Sequence, residues 1–327
     1  MMQATNKVEG QKQLFNAKYL FNTYGMLMIL LILFFSLSAA IDGFMSLRTI
    51  LSIMEQVSMF GIISIGVTFA IITCGIDLSS GAVVALAAVV AASVVSAADN
   101  AFAAIAGFAA AIAVGAVCGV INGGFTAIGK IPPFIATLGM MTIARGAAQI
   151  ASGGRPIDAS SDAFTWIADM SVLGIPGLVL IYSMVAIVAH ILLSRSRFGR
   201  HVYAIGGNVH AARISGINVR RTLMLVYTFA GALAGLAGAM LAARTYAGNP
   251  AYGNMWELDA IAAAVIGGTS LAGGIGSVPM CVVGALIIGT TNKGLNLLGV
   301  DPYWQQIVKG CIIIFAVLLD TLKRRRS

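Results

Sequence analysis

The sequence predicts an all-α, polytopic membrane protein: about ten transmembrane helices arranged as two inverted repeats, with the N and C termini both cytoplasmic. Three observations predict it. Hydrophobic residues fill 59% of the 327 positions and charged residues only 10%, against about 25% charged in a soluble domain. The apolar residues fall in blocks of about 20, the length a helix needs to cross roughly 30 Å of hydrocarbon. Stretches such as 61–73 and 82–97 are apolar all round, which excludes the alternating segments of a membrane barrel.

Breaks at polar, Gly or Pro clusters delimit spans near 20–40, 50–73, 79–98, 101–128, 134–152, 173–193, 222–243, 258–272, 278–291 and 303–320. The first outruns a signal-peptide core and lacks a small-residue cleavage pattern, so it reads as a retained helix. The third and eighth adjoin Gly-rich breaks at 75–81 and 267–276 and could be broken or re-entrant. An offset of 170 superimposes Gly119, Asn122, Gly124, Gly129 and Pro132 on Gly289, Asn292, Gly294, Gly299 and Pro302 without a gap. With ten spans, Asn122 ends a helix running inward and Asn292 one running outward. The halves are then inverted, and the two Gly-rich breaks mark corresponding gating regions.

Ten spans place both ends on one side, which the distribution of basic residues makes the cytoplasm. Fourteen of the twenty Lys and Arg fall there: Lys7, Lys12, Lys18, Lys130, Arg195, Arg197, Arg200, Arg213, Arg220, Arg221 and the tail Lys323, Arg324, Arg325 and Arg326. The chain forms one membrane domain over 1–327, with cytoplasmic tails at 1–19 and 321–327 and a basic cytoplasmic loop at 194–221. The opposite side receives Asp42, Asp99, Asp158, Asp162, Asp169, Glu257, Asp259 and Asp301, together with Trp166, Trp256 and Trp304 as an interfacial belt. Because the basic residues flank membrane helices, the formal charge of +8 sets orientation and does not indicate nucleic-acid binding.

Chemistry-bearing residues are few. Cys74, Cys118, Cys281 and Cys311 are scattered without CxxC spacing, and His190, His201 and His210 have no carboxylate or cysteine at ligand spacing, so no metal site is indicated. Gly124 to Lys130 matches GxxxxGK, but Ile131 stands where the phosphate loop needs Ser or Thr and the run follows a membrane helix, so it is no nucleotide site. No nucleophile and base pair is present. The run from Gly75 through Asp77 and Ser79 to Gly81 puts a carboxylate and hydroxyls between two apolar spans, either capping the third helix or forming a gate hinge. Glu55, Gln56, Arg145 and Lys309 lie within spans, where charge faces the interior; Glu55 is the expected partner of Arg145. Gly231, Gly235 and Gly238 have the spacing of close helix packing.

The stretch from Ser194 to Arg221 is far longer than an ordinary helix connection. It contains Arg200, Ala204, Gly206, Gly207 and Asn208, then a short helical run with Ala211 and Arg213 ended by Gly216. At this loop the sequence resembles the permease subunits of bacterial ABC importers for monosaccharides, the ribose permease family. The resemblance covers nearly the whole chain, with matching segments at 75–81, 199–216, Glu257 to Ala263, Gly267 to Gly274 (including Gly268, Thr269 and Ser270) and Asn292 to Val300. Ser80, Ala82 and Ile275 depart from its usual residues.

The resemblance implies a non-catalytic subunit that binds no cofactor of its own. It implies a second permease copy or a paralogous permease, a periplasmic sugar-binding protein, and a cytoplasmic ATPase whose two nucleotide-binding domains hold ATP and Mg²⁺. It also implies that the loop around 206–216 docks on that ATPase. An ion-coupled secondary sugar transporter is the alternative that inverted repeats and intramembrane charge also suit; the long basic loop argues against it.

Overall fold

In a computed structural model, which describes residues 17–324, all ten predicted segments coincide with helices. In chain order these are α1 (Ala17–Ala40), α2 (Leu47–Ile72), α3 (Ser80–Val95), α4 (Ala101–Ala127), α5 (Pro133–Ser152), the short α6 (Asp162–Asp169) and α7 (Gly177–Arg195). The basic loop at 194–221 forms α8 (Arg197–Gly207) and α9 (Val209–Ile214), followed by α10 (Val219–Thr245), α11 (Trp256–Ile266), α12 (Val278–Leu297) and α13 (Pro302–Arg324). Two small antiparallel ribbons complete the described chain. In one, β1 (Ile157–Asp158) pairs with β4 (Ala247–Gly248); in the other, β2 (Ser171–Val172) pairs with β3 (Ile175–Pro176).

Among the described residues six helices, α2, α4, α5, α7, α10 and α12, are long and apolar enough to cross a membrane. The apolar part of α1, Gly25–Ala40, and α3 are shorter. Helix α11 has 11 residues, about 16 Å of rise. Local chemistry sets the ends. Ser46, Asn100, Ser196, Asn208 and Asn218 cap α2, α4, α8, α9 and α10 by accepting hydrogen bonds from their first-turn N–H groups, which otherwise lack helical partners. Gly153, at φ +61°, ends α5.

Helix α2 is buried on every side from Val57 to Ile72, as expected of a helix apolar all round. Helix α10 packs most extensively on α4. Ala111, Gly115, Gly119 and Gly123, one turn apart on α4, meet the backbone of α10 at Gly235, Gly231, Tyr227 and Met224 with no room for a Cβ on the glycines. Lipid tails are as apolar as the helices, so this association rests on van der Waals packing, which small residues maximise.

The two short helices share an origin. Gly238 of α10 lies against Val84 and Ala87, and Gly248 against Ala88 and Ala92, so α3 starts beside the middle of α10 and runs the same way. Helix α11 starts where α3 starts: Gly81 touches Gly253 and the Glu257 carboxylate. From there α11 runs the other way, because Gly274, just beyond it, donates its N–H to Ile72 O at 2.9 Å, and the end of α2 lies beside the first half of α10, with Gly75 against Tyr227.

Several expectations are corrected. The break at 75–81 leads into α3, whereas the Gly-rich run 267–276 follows α11. The span predicted at 258–272 stops at Ile266 because Gly267 and Gly268, the latter at φ +84°, end the helix. Glu257 and Asp259 are buried in the first turn of α11. The loop at 194–221 carries the short helix expected around Ala211 and Arg213, α9, and a further helix before it, α8. The expected tail 1–19 becomes helical at Ala17, with 1–16 outside the described residues; α13 reaches Arg324, with 325–327 also outside them.

Candidate functional site

The break between α2 and α3 is a buried polar turn. Asp77, 2% exposed, accepts hydrogen bonds at Oδ1 from the Ser79 N–H (2.9 Å) and hydroxyl (2.7 Å). Asn122 Nδ2 of α4 donates to Ser79 Oγ at 2.9 Å. Thr137 of α5 donates to Ile76 O at 3.1 Å and accepts from Leu78 N–H at 3.2 Å. Asp77 thus shapes the turn that leads into α3, its bonds going to Ser79 just before the helix and not to first-turn N–H groups. Around it Ser80 Oγ and Asn122 Oδ1 are buried with no partner among the described residues, and Thr126 Oγ1 and the Tyr227 hydroxyl are buried beside each other. Such groups are costly in a dry apolar interior, so the chemistry of this turn suits a hydrated channel wall.

Where α3 and α11 start, Arg145 Nη1 of α5 donates to the carbonyls of Pro250 and Tyr252, both at 2.7 Å. This corrects the expected Arg145–Glu55 pairing. The guanidinium holds the turn at 250–255 in place through its backbone. Glu55 instead pairs with Arg244 at 3.0 Å; beside it on α2, Ser52 accepts from Lys293 at 3.0 Å. Gln56 is half-buried on α2, and Asn292 is buried on α12 with Oδ1 unpartnered. Glu257 Oε2, against Gly81, is also buried and unpartnered. Asp259 forms an ion pair with Lys309 of α13 at 2.9 Å.

A third group lies where α8 meets the membrane helices. Gly206 sits against Ile72 O and Gly274 N with no room for a Cβ. Tyr203 of α8 donates to Gly276 O at 2.6 Å, and Cys74 Sγ approaches Ala272 O at 3.0 Å and Gly206 O at 3.6 Å. Thr269 and Ser270 are buried in the same loop, and Gly267 lies against the backbone of Met280 and Cys281. The structure therefore joins three regions singled out separately in the sequence: the break after α2, the Gly-rich loop after α11, and the basic loop at 194–221.

The other face of α8 and α9 is open. Arg200, Gly207, Asn208, Ala211, Arg213 and Gly216 are exposed, Ala204 is half-buried, and Ile214 is 89% exposed. In the loop before α6, hydrogen bonds from Ser161 Oγ (2.6 Å) and the Ala163 N–H (3.3 Å) hold the Asp99 carboxyl below the usual carboxylate range. Sequence reasoning missed Arg244 and Lys293 as site residues; the signal was there, since both charges lie within predicted or observed helix ends beside apolar runs. It also missed Tyr203 and Tyr227, whose roles rest on which hydroxyl meets which backbone across the fold.

Helices started in mid-bundle, buried polar turns and a helical platform define a polytopic transport permease. The chain belongs to the family described as branched-chain amino acid transport system / permease component, whose family model matches residues 49–317. It is 43% identical over 302 residues to the ribose import permease protein RbsC of Escherichia coli (strain K12), covering 91% of this chain and 93% of the relative. It is 40% identical over 315 residues to the D-allose transport system permease protein AlsC of the same organism, covering 95% of each chain. With the xylose transport system permease protein XylH of Haemophilus influenzae it shares 36% identity over 365 residues, 93% of this chain and 97% of the relative. The chain is thus an ABC transporter permease of the ribose/monosaccharide importer group, a non-catalytic membrane component. No solved structure matches it.

Proposed function

We propose that the chain is the membrane-spanning subunit of an ATP-binding cassette importer in the bacterial inner membrane, moving ribose or a similar aldose from periplasm to cytoplasm by alternating access. Two copies, or one copy and a paralogous permease, assemble with a cytoplasmic ATPase and receive sugar from a periplasmic binding protein. ATP and Mg²⁺ stay on the ATPase. Ribose is favoured because relatives named for ribose import align over nearly the full chain.

The observation that carries this reading is the joint at Gly206. One end of the cytoplasmic helix pair abuts both the C-terminal end of α2 and the loop after α11, while its opposite face is exposed. An ATPase seated on Arg200, Asn208, Ala211 and Arg213 would displace α8 and with it both break regions, biasing an equilibrium between two packings.

Inverted repeats are supported by element order. Adding 170 to the first residues of α2, α3, α4 and α5 (47, 80, 101 and 133) gives 217, 250, 271 and 303, against starts of 219, 256, 278 and 302 for α10 to α13. The opposite directions of α3 and α11 fit an axis in the membrane plane, with both termini cytoplasmic.

Gly207 tests the reading, since a Cβ there meets nothing within 4 Å. Gly207→Trp leaves the permease folded but blocks the docking face. Mass spectrometry of partners copurified with tagged protein should recover an ATPase with the parental chain and lose it with Gly207→Trp. Uptake should persist when the ion gradient is collapsed with ATP retained. Absence of an ATPase from both, with uptake abolished by gradient collapse, would make the chain a secondary transporter.

A further inference from the structure

A cavity of about 230 Å³ opens between the start of α11 and the first three turns of α13. Its polar lining is Asn254, Asp259, Gln305, Gln306 and Lys309, and Gly310 forms part of its wall. The cavity is small beside the roughly 300–1,000 Å³ of drug-sized sites and suits a polar molecule of about ten to twelve non-hydrogen atoms. Of the Lys309 ammonium's three N–H donors, one is held by Asp259 at 2.9 Å. The amide N–H groups of Gln305 are used on Asn296 Oδ1 and Val300 O, which fixes that side chain and leaves its carbonyl as an acceptor. No described residue makes a hydrogen bond to the Gln306 side chain.

We propose that this cavity is a low-affinity monosaccharide subsite within the permease, where the Lys309–Asp259 pair and the Gln305 and Gln306 amides hydrogen-bond adjacent sugar hydroxyls. The proposal rests on the importer reading above. Its chemistry is that of a neutral polyol. Asp259, 5% exposed, already neutralises Lys309, so an anion finds no uncompensated positive charge, whereas alternating donors and acceptors match vicinal hydroxyls. Its location fits passage of a solute. The cavity sits at the start of a short helix that begins in mid-bundle, where discontinuous helices of transporters bind their substrates. Apolar lipid tails would leave these charges and amides unsatisfied.

Gly310 supplies the variant. A Cβ there meets nothing within 4 Å, so Gly310→Leu fills the space without displacing a neighbour. Saturation-transfer NMR with D-ribose and the permease in lipid nanodiscs reads binding without ATP or partners. The parental protein should transfer saturation to ribose, and Gly310→Leu and Gln306→Leu should reduce it to background. In the assembled importer, both variants should lower uptake kcat/KM about tenfold or more while ATPase copurification and binding-protein-stimulated hydrolysis persist. Absence of transfer to the parental protein, or equal transfer to all three, would overturn the subsite. Stronger competition by glycerol 3-phosphate than by unlabelled ribose would make the cavity a lipid-headgroup site and likewise overturn it. Intact ribose transfer with no ATP-dependent uptake would instead sink the importer reading and leave the subsite standing.

Discussion

Asp77 separates two kinds of polar residue in this molecule. Its carboxylate accepts from Ser79, which in turn accepts from Asn122, so the acceptor at Oδ1 matters to the turn more than the charge does. Asp77→Asn keeps an acceptor there and is expected to retain membrane-inserted protein and uptake within about threefold of the parental level. Asp77→Leu strands the buried Ser79 donors at about 1–3 kcal/mol, and should lower the amount of folded protein in size-exclusion profiles of solubilised membranes. Equal loss of uptake in the two variants would show that the carboxylate itself is what function requires, and equal retention that the turn does not depend on Asp77. The polar character of this turn was legible in the sequence because Asp, Ser and Gly interrupt two long apolar runs. The Arg145 partner was not. Charge pairing in sequence offered Glu55, whereas the fold presents two carbonyls of a turn to the guanidinium, and backbone acceptors leave no mark in residue identity.

At the scale of elements, the small-residue spacing on α10 announced close packing but not its partner, since half the chain satisfies the same composition. The structure supplies α4, whose own glycines recur at the same interval. Gly231→Leu should force α4 and α10 apart, at about 1–3 kcal/mol or more by overpacking, and lower the thermal stability of the solubilised protein. Gly139→Leu and Gly146→Leu on α5 should not, because a Cβ at either meets nothing within 4 Å. Similar losses at all three positions would refute an α4–α10 interface of this kind. Helix existence was readable from apolar block length, whereas the ends of α3 and α11 were not. These helices start in the middle of the bundle, set by contacts between Gly81, Gly253 and Glu257 that join residues far apart in sequence.

For the whole molecule, the sidedness implied by inversion gives a direct test. Ile128 and Leu298, just past the ends of α4 and α12, are 58% and 51% exposed and lie 170 positions apart. If the halves are inverted, a membrane-impermeant maleimide applied from the periplasmic side should label Leu298→Cys above the parental background and not Ile128→Cys. Labelling of both from that side would contradict inversion. The proposed repeat rests in sequence on shared glycines, asparagines and prolines. Gly content alone does not distinguish a run that enters a helix, as 75–81 does, from one that leaves it, as 267–276 does.

The meeting of Gly206 with Ile72 and Gly274 has a mechanical meaning. Where long side chains separate two elements, rotamer changes absorb small displacements and a push dies out within a few ångströms. Here main chain rests on main chain, with a hydrogen bond from Gly274 to Ile72 across the seam. Close-packed backbone has no such slack, so in the proposed coupling the seam would act as a stiff bearing that carries a short stroke at the exposed face of α8 to both interruptions of the bundle.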